Sequence, residues 1–259
     1  MTTPITYYGG KQMLADTIIG LMPAHKIYVE PFFGGGAVFW RKQKSYIEAI
    51  NDTNHLLINF YRVCQNDFDE LEQLVSCTLH SEAMHHHARD IYKGKIDATD
   101  VQKAWAVWLL TNNSFGGKIG GGWRWCNGRS GSHAGISFCK KRNAFTHRLC
   151  DRLAEVQISC RDALACIAGR DADTTFFYLD PPYPGSDQGH YRGYSFDDFT
   201  ALLDICEYER KVYPVELPKR YTSGICFAQR MERYRKGTSA VRIQQGIRKP
   251  QNRTADIQL

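Results

Sequence analysis

Two short apolar runs, each closed by a turn and followed by a helical pattern, constrain this chain most. Ile27 to Phe32 runs into Gly34-Gly35-Gly36, and Ala37 to Lys42 then carries helical character. Tyr46 to Ile50 runs into Asn51-Asp52. Leu56, Leu57, Phe60 and Val63 follow at helical spacing, with Asp52 or Thr53 placed to cap that helix. Strand, turn and helix repeated in this order predict a parallel sheet covered by helices, because parallel neighbours need a long crossover between them.

The pattern then changes. Residues 67–113 read as helices, with Leu71, Leu74, Val75, Ile91, Trp105, Val107, Trp108 and Leu109 as their apolar positions. Seven glycines between Gly116 and Gly131, interleaved with Lys118, Trp123, Arg124, Trp125 and Arg129, cannot pack a core and predict a long functional loop. Alternation of strand and helix returns: a helix over 145–153, a strand over 156–159, a helix over 162–168 and a strongly β-prone Thr174-Thr-Phe-Phe-Tyr-Leu179. An amphipathic helix follows over 196–206, with Phe199, Leu202, Leu203 and Cys206 on one side. The expected organisation is a catalytic unit in two pieces, 1–53 and 145–206. A helical and glycine-rich insert over 54–144 separates them, and an atypical basic tail occupies 207–259.

Charge is uneven. Twelve basic and five acidic residues from Glu207 onward give the tail +7, against a net +6 for the whole chain, so the body is close to neutral. The nine cysteines contain no Cys-x-x-Cys pair, which argues for reduced thiols and against a zinc ribbon. No basic, apolar leader opens the chain and no apolar run approaches a membrane span, so a cytoplasmic protein is expected. His85-His86-His87 point in different directions on a helix and predict surface histidines; no metal site is expected.

Asp180-Pro181-Pro182-Tyr183 follows the most strand-like segment. Two prolines stiffen the backbone and remove two donors, leaving carbonyls and a carboxylate free to accept. That turn suits an amino group. It also fits a plain proline-rich turn capped by its aspartate. Three segments together resemble the Dam-type, or D12-class, DNA adenine-N6 methyltransferases. They are Tyr7-Tyr8-Gly9-Gly10-Lys11, Val29-Glu30-Pro31-Phe32-Phe33-Gly34-Gly35-Gly36 and Tyr178-Leu179-Asp180-Pro181-Pro182-Tyr183. Their order and spacing match, with the insert between the second and third, and the likeness covers about residues 4–206.

The resemblance implies a Rossmann-like S-adenosylmethionine-dependent sheet and methyl transfer to adenine N6 in duplex DNA with base flipping. It implies a monomer, or a weak dimer on DNA. Asp180 and the Pro181 carbonyl would accept from N6, and Tyr183 would stack on the extruded base. Tyr7, Lys11, Glu30, Phe32, Gly34, Asp52, Asp162 and Asp180 would surround the cofactor. Glu30 stands where the family usually has Asp. Asp52 and Asp162 have two candidate roles each, cofactor ligand or helix cap. Asn113, Lys118, Arg124, Arg129 and Tyr194 are candidate DNA contacts, along with the Lys140-Lys141-Arg142 run; Tyr191 shares the base-holding role with Tyr194.

After Cys206 the resemblance calls for another buried strand and a hairpin. Instead two prolines interrupt the only apolar run, Lys211-Val-Tyr-Pro-Val-Glu-Leu-Pro. A divergent basic DNA-binding arm and a shifted reading frame near Glu207 are the two explanations, the second preferred, and it would leave the sheet without its last strands.

Overall fold

The apolar runs become parallel strands because both of their faces are covered. The computed structural model describes residues 1–128, 133–182, 193–207, 210–215 and 225–230, the last two segments and Glu207 as backbone only. In chain order the elements are α1 (Ala15–Gly20), β1 (Ile27–Glu30), α2 (Ala37–Arg41), β2 (Ile47–Asn51), α3 (His55–Asn66), α4 (Phe68–Ser76), α5 (Glu82–Tyr92) and α6 (Asp100–Asn113). Then come α7 (Ala134–Asn143), α8 (Arg148–Leu153), β3 (Gln157–Ser159), α9 (Ala163–Ala168), β4 (Thr175–Leu179), α10 (Phe196–Glu207), β5 (Arg210–Val215) and β6 (Ile225–Arg230). The sheet order is β3-β2-β1-β4-β6-β5. The first four strands are parallel, with Val29 beside both Ala49 and Phe177. This is the α/β architecture that the alternating pattern predicts and the Rossmann-like sheet that the resemblance implies.

Alternate residues of each strand point to opposite layers. Tyr28, Ile50, Phe176 and Tyr178 join a large core with α1 to α8, in which Trp40, Tyr61 and Trp108 are buried. Val29, Ala49, Phe177 and Leu179 face a smaller core with α9 and α10, where Leu202 and Cys206 are buried. Of the apolar side expected over 196–206, Leu202 and Cys206 reach this core, Phe199 and Leu203 are half-buried, and Ile205 packs against it instead. The helices between β2 and β3 share the large core with the sheet.

Three local expectations need correction. Asn54, not Asp52 or Thr53, caps α3, its Oδ1 accepting from Leu56 N and Leu57 N. The Asp52 carboxylate is drawn instead to the glycine turn. His85 is fully buried, whereas His86 and His87 are exposed as expected. The sheet also does not stop at β4. β6 pairs antiparallel with β4, and β5 pairs with β6 at the outer edge. Pro214, which a central strand would not tolerate, is accommodated because β5 is outermost among the described strands. No helix among the described residues is long and apolar enough to cross a membrane.

Candidate active site

The carboxyl ends of β3, β2, β1 and β4 lie side by side, where α/β sheets place their ligands. Asn51, at the end of β2 and fully buried, ties three of these ends together. Its Nδ2 donates to Pro31 O at 3.0 Å and to Arg161 O at 2.9 Å, and its Oδ1 accepts from Arg161 N and Ser159 Oγ. The sequence marked Asn51 only as a strand end.

After β1 the chain folds into a glycine turn. Gly34 and Gly36 have φ of 50° and 62°, in the left-handed region. A Cβ at Gly36 would strike the Phe33 ring, and one at Gly35 would lie 2.8 Å from Tyr7 Cβ. Tyr7, itself buried, thus packs directly on the turn. Gly34 N donates to Asp52 Oδ2 and Asn54 N to Asp52 Oδ1, both at 2.9 Å, while Tyr61 OH donates to Gly34 O at 2.7 Å. Burial raises the Asp52 carboxyl above its usual range, and these backbone donors partly offset the rise.

A cavity of about 500 Å³ opens above these ends. Its walls run from Asp162 at β3, through Asp52 at β2 and Phe32 at β1, to Pro182 at β4, with Tyr194 closing it from the segment before α10. Phe32 and Tyr194 meet edge to face at 6.1 Å between ring centres. Asp162 caps α9 by accepting from Ala165 N at 3.1 Å, and it also lines the cavity.

Asp180 leaves β4 beside this cavity. Lys11 Nζ lies 2.9 Å from each Asp180 carboxylate oxygen and 3.0 Å from Gly9 O. Both side chains of the pair are largely covered, at 11% and 18% exposure. Glu30, at the end of β1, is buried and accepts from Tyr28 OH at 2.8 Å. Burial pushes its carboxyl well above the usual range, the Tyr28 hydroxyl opposes this, and the negative charge of Asp180 adds to it. Asp180 thus lies close enough to Glu30, the last residue of β1, for its charge to act there.

The sequence profile of the D12 class N6 adenine-specific DNA methyltransferase family matches residues 7–208. The chain belongs to this family. It is similar to the retron Ec67 DNA adenine methylase of Escherichia coli, 25% identical over 239 residues, spanning 87% of this chain and 79% of that one. It is also 27% identical over 219 residues to the type II methyltransferase M1.LlaDCHI of Lactococcus lactis subsp. cremoris, spanning 76% and 72% of the two. The type II methyltransferase M.MjaIII of Methanocaldococcus jannaschii is 27% identical over 235 residues, spanning 80% and 79%.

The methyltransferase's glycine-rich segment starts at Ser114, the C-cap of α6. A bridge from Ser114 to Trp123, and Arg124 N donating to Asn113 O at 2.8 Å, fold it back on itself. Two histidines hold it from behind. His85 Nε2 lies 2.9 Å from Ser114 Oγ, and His80 Nε2 lies 3.0 Å from Arg124 O. Asn113 is buried, and its side-chain amide has no partner among the described residues. Lys118 holds its ammonium 4.3 Å above the Tyr8 ring. Lys141 Nζ and Arg142 donate inward to Thr3 O and Thr78 O. Trp123 packs on His80, whereas Trp125 is 53% exposed. Tyr183, Arg129, Tyr191 and most of the basic tail lie outside the described residues. No group of three or more metal-ligating side chains occurs among the described residues.

Proposed function

We propose that this methyltransferase transfers a methyl group from S-adenosylmethionine to adenine N6 at a specific site in duplex DNA, after the base is flipped into the pocket. The observation that carries the reading is the Lys11–Asp180 contact. The turn after β4 already binds an amine, with both carboxylate oxygens accepting at 2.9 Å. The amino group of an extruded adenine, a neutral N–H donor, would take Lys11's place at these acceptors.

The cavity fits the cofactor. Two carboxylates, Asp52 and Asp162, line it for a nucleoside's polar groups, and Phe32 and Leu164 give it an apolar wall. Glu30 and the turn would hold the amino-acid end, Asp52 the ribose and Asp162 the adenine. The bound cofactor supplies an electrophilic methyl on a sulfonium. The chain's own residues then do the rest. Asp180 Oδ and the Pro181 carbonyl accept the two N6–H bonds, which draws the nitrogen toward tetrahedral geometry and disperses its developing positive charge. Asp180 is the nearest acceptor for the proton that N6 loses. Tyr194, already edge-on to Phe32, and Tyr183 would flank the base. Residues 54–144 would form the target-recognition part, with Lys118, Arg124 and Arg129 toward DNA and Asn113 reaching a base edge once the loop engages.

Transfer of labelled methyl from S-adenosylmethionine to duplex DNA, with Asp180→Ala as control, tests this. Label should appear as N6-methyladenine for the natural sequence alone. Cofactor binding without transfer to any duplex would identify a binding-only relic and end the catalytic reading.

A further inference from the structure

Helix α5 runs from the glycine-rich segment to the cavity, and its last residue, Tyr92, stands in the cavity wall next to Asp52 and Asn54. Tyr92 belongs to neither the glycine-loop motif nor the Asp-Pro-Pro-Tyr motif; it comes from the segment between them. The Tyr92 hydroxyl oxygen accepts from Asn54 Nδ2 at 3.3 Å. No other hydrogen bond of this hydroxyl occurs among the described residues. A phenol both accepts and donates, so its proton stays available to a ligand. Burial holds the phenol above its ordinary range, the Asn54 amide opposes this and the Asp52 charge adds to it, so the group keeps its proton at physiological pH.

Position decides which part of a ligand it meets. The sheet order places the β2 end between those of β3 and β1, so Asp52, Asn54 and Tyr92 flank the middle of the cavity. A nucleoside lying across these ends sets its sugar there. A ribose hydroxyl that donates to the Asp52 carboxylate turns its own lone pairs outward, and these suit a donor. We propose that Tyr92 donates a hydrogen bond to the ribose of the bound cofactor while Asp52 accepts from it, so that α5 completes the nucleoside site. The inference rests on the reading of this cavity as the cofactor site.

The test is calorimetric titration of the full chain and of Tyr92→Phe with S-adenosylhomocysteine, 5′-methylthioadenosine, and the 2′-deoxy and 3′-deoxy forms of the latter. Loss of one hydrogen bond should weaken S-adenosylhomocysteine and 5′-methylthioadenosine by roughly 3- to 10-fold. One deoxy form should bind both proteins equally, because the partner of the hydroxyl is already gone. Thermal unfolding without ligand should be unchanged, which separates a lost contact from a damaged fold. Binding of the variant within about twofold of the natural chain for every probe would overturn the assignment, as would an equal loss for all four probes. If the natural chain binds none of the probes, the cofactor reading itself fails, and this inference with it.

Discussion

His85 makes the segment behind the glycine-rich loop sensitive to acid, and the size of the effect follows from its surroundings. The ring is fully buried, Nε2 faces Ser114 Oγ, and Nδ1 has no partner among the described residues. The favoured tautomer carries its proton on Nε2 and leaves Nδ1 bare. A second proton would create a buried N–H with nothing to accept it. Burial, followed by the neighbouring charges of Arg89 and His86 and against that of Glu82, lowers the pKa to about 4. The unfolded chain keeps an ordinary value of about 6.5 and so takes up the proton first as pH falls. The stabilisation tied to the neutral ring is intact above pH 6.5 and drains away between there and pH 4. Linkage gives a loss of ~2 kcal/mol at pH 5, rising toward ~3 kcal/mol below pH 4. Urea unfolding followed by tryptophan fluorescence at pH 7 and pH 5 measures it. His85→Gln keeps a donor near the Nε2 position but cannot titrate. Between the two pH values the natural protein should lose ~2 kcal/mol more than the variant, since the other histidines are common to both. Equal losses would refute the argument.

Four further outcomes follow. Asp180→Ala should cut methyl transfer by at least ~10²-fold while leaving cofactor binding measurable; near-normal turnover in a single-turnover assay would remove this carboxylate from the chemistry. For Glu30 the folded pKa is raised, so the unfolded chain releases its proton first and native stability falls as pH rises from the ordinary carboxylate range. Glu30→Gln removes that loss. Its melting temperature should gain on the natural protein as pH goes from 5 to 8, with weaker S-adenosylmethionine binding; a pH-independent difference in melting would show Glu30 to be ionised throughout. Glu48 is buried between Lys42 and Arg152, accepting from both, so Glu48→Ala strands two covered cations and should cost ~3–5 kcal/mol in denaturant unfolding, with a loss below ~1 kcal/mol counting against the pairing. Gly36→Ala combines a positive φ with a clash on Phe33 and should cost ~1–3 kcal/mol while weakening cofactor binding; an unchanged melting curve would show that the turn can relax.

The strands were legible because parallel strands buried on both faces become unbroken apolar runs, as in Thr174–Leu179. The motif residues were legible because glycine and proline write backbone geometry directly into sequence. What escaped depends on contacts between distant residues. Asp52 looked like a helix cap because caps are local, but the Gly34 amide, 18 positions earlier, competes for the same carboxylate. Lys11 and Asp180 are 169 positions apart, and only the sheet brings them together. His85 was read with its two neighbours as surface, although its position on α5, opposite Ser114, differs from theirs. Tyr92 carries no motif at all; it reaches the cavity only because α5 packs on α6 with one particular end at Asn54.

The two rims of the sheet differ from its middle in a way that matters for how molecules meet. At one rim β3 is three residues long, too short to template another chain. At the other, β5 carries Pro214, a residue with no backbone N–H. If strands flanked it on both sides, one of them would miss a donor at that point. Among the described residues β5 is thus the outer strand, and its proline suits it to that place. Neither outer strand among the described residues offers a long unbroken row of backbone donors for another sheet to pair with.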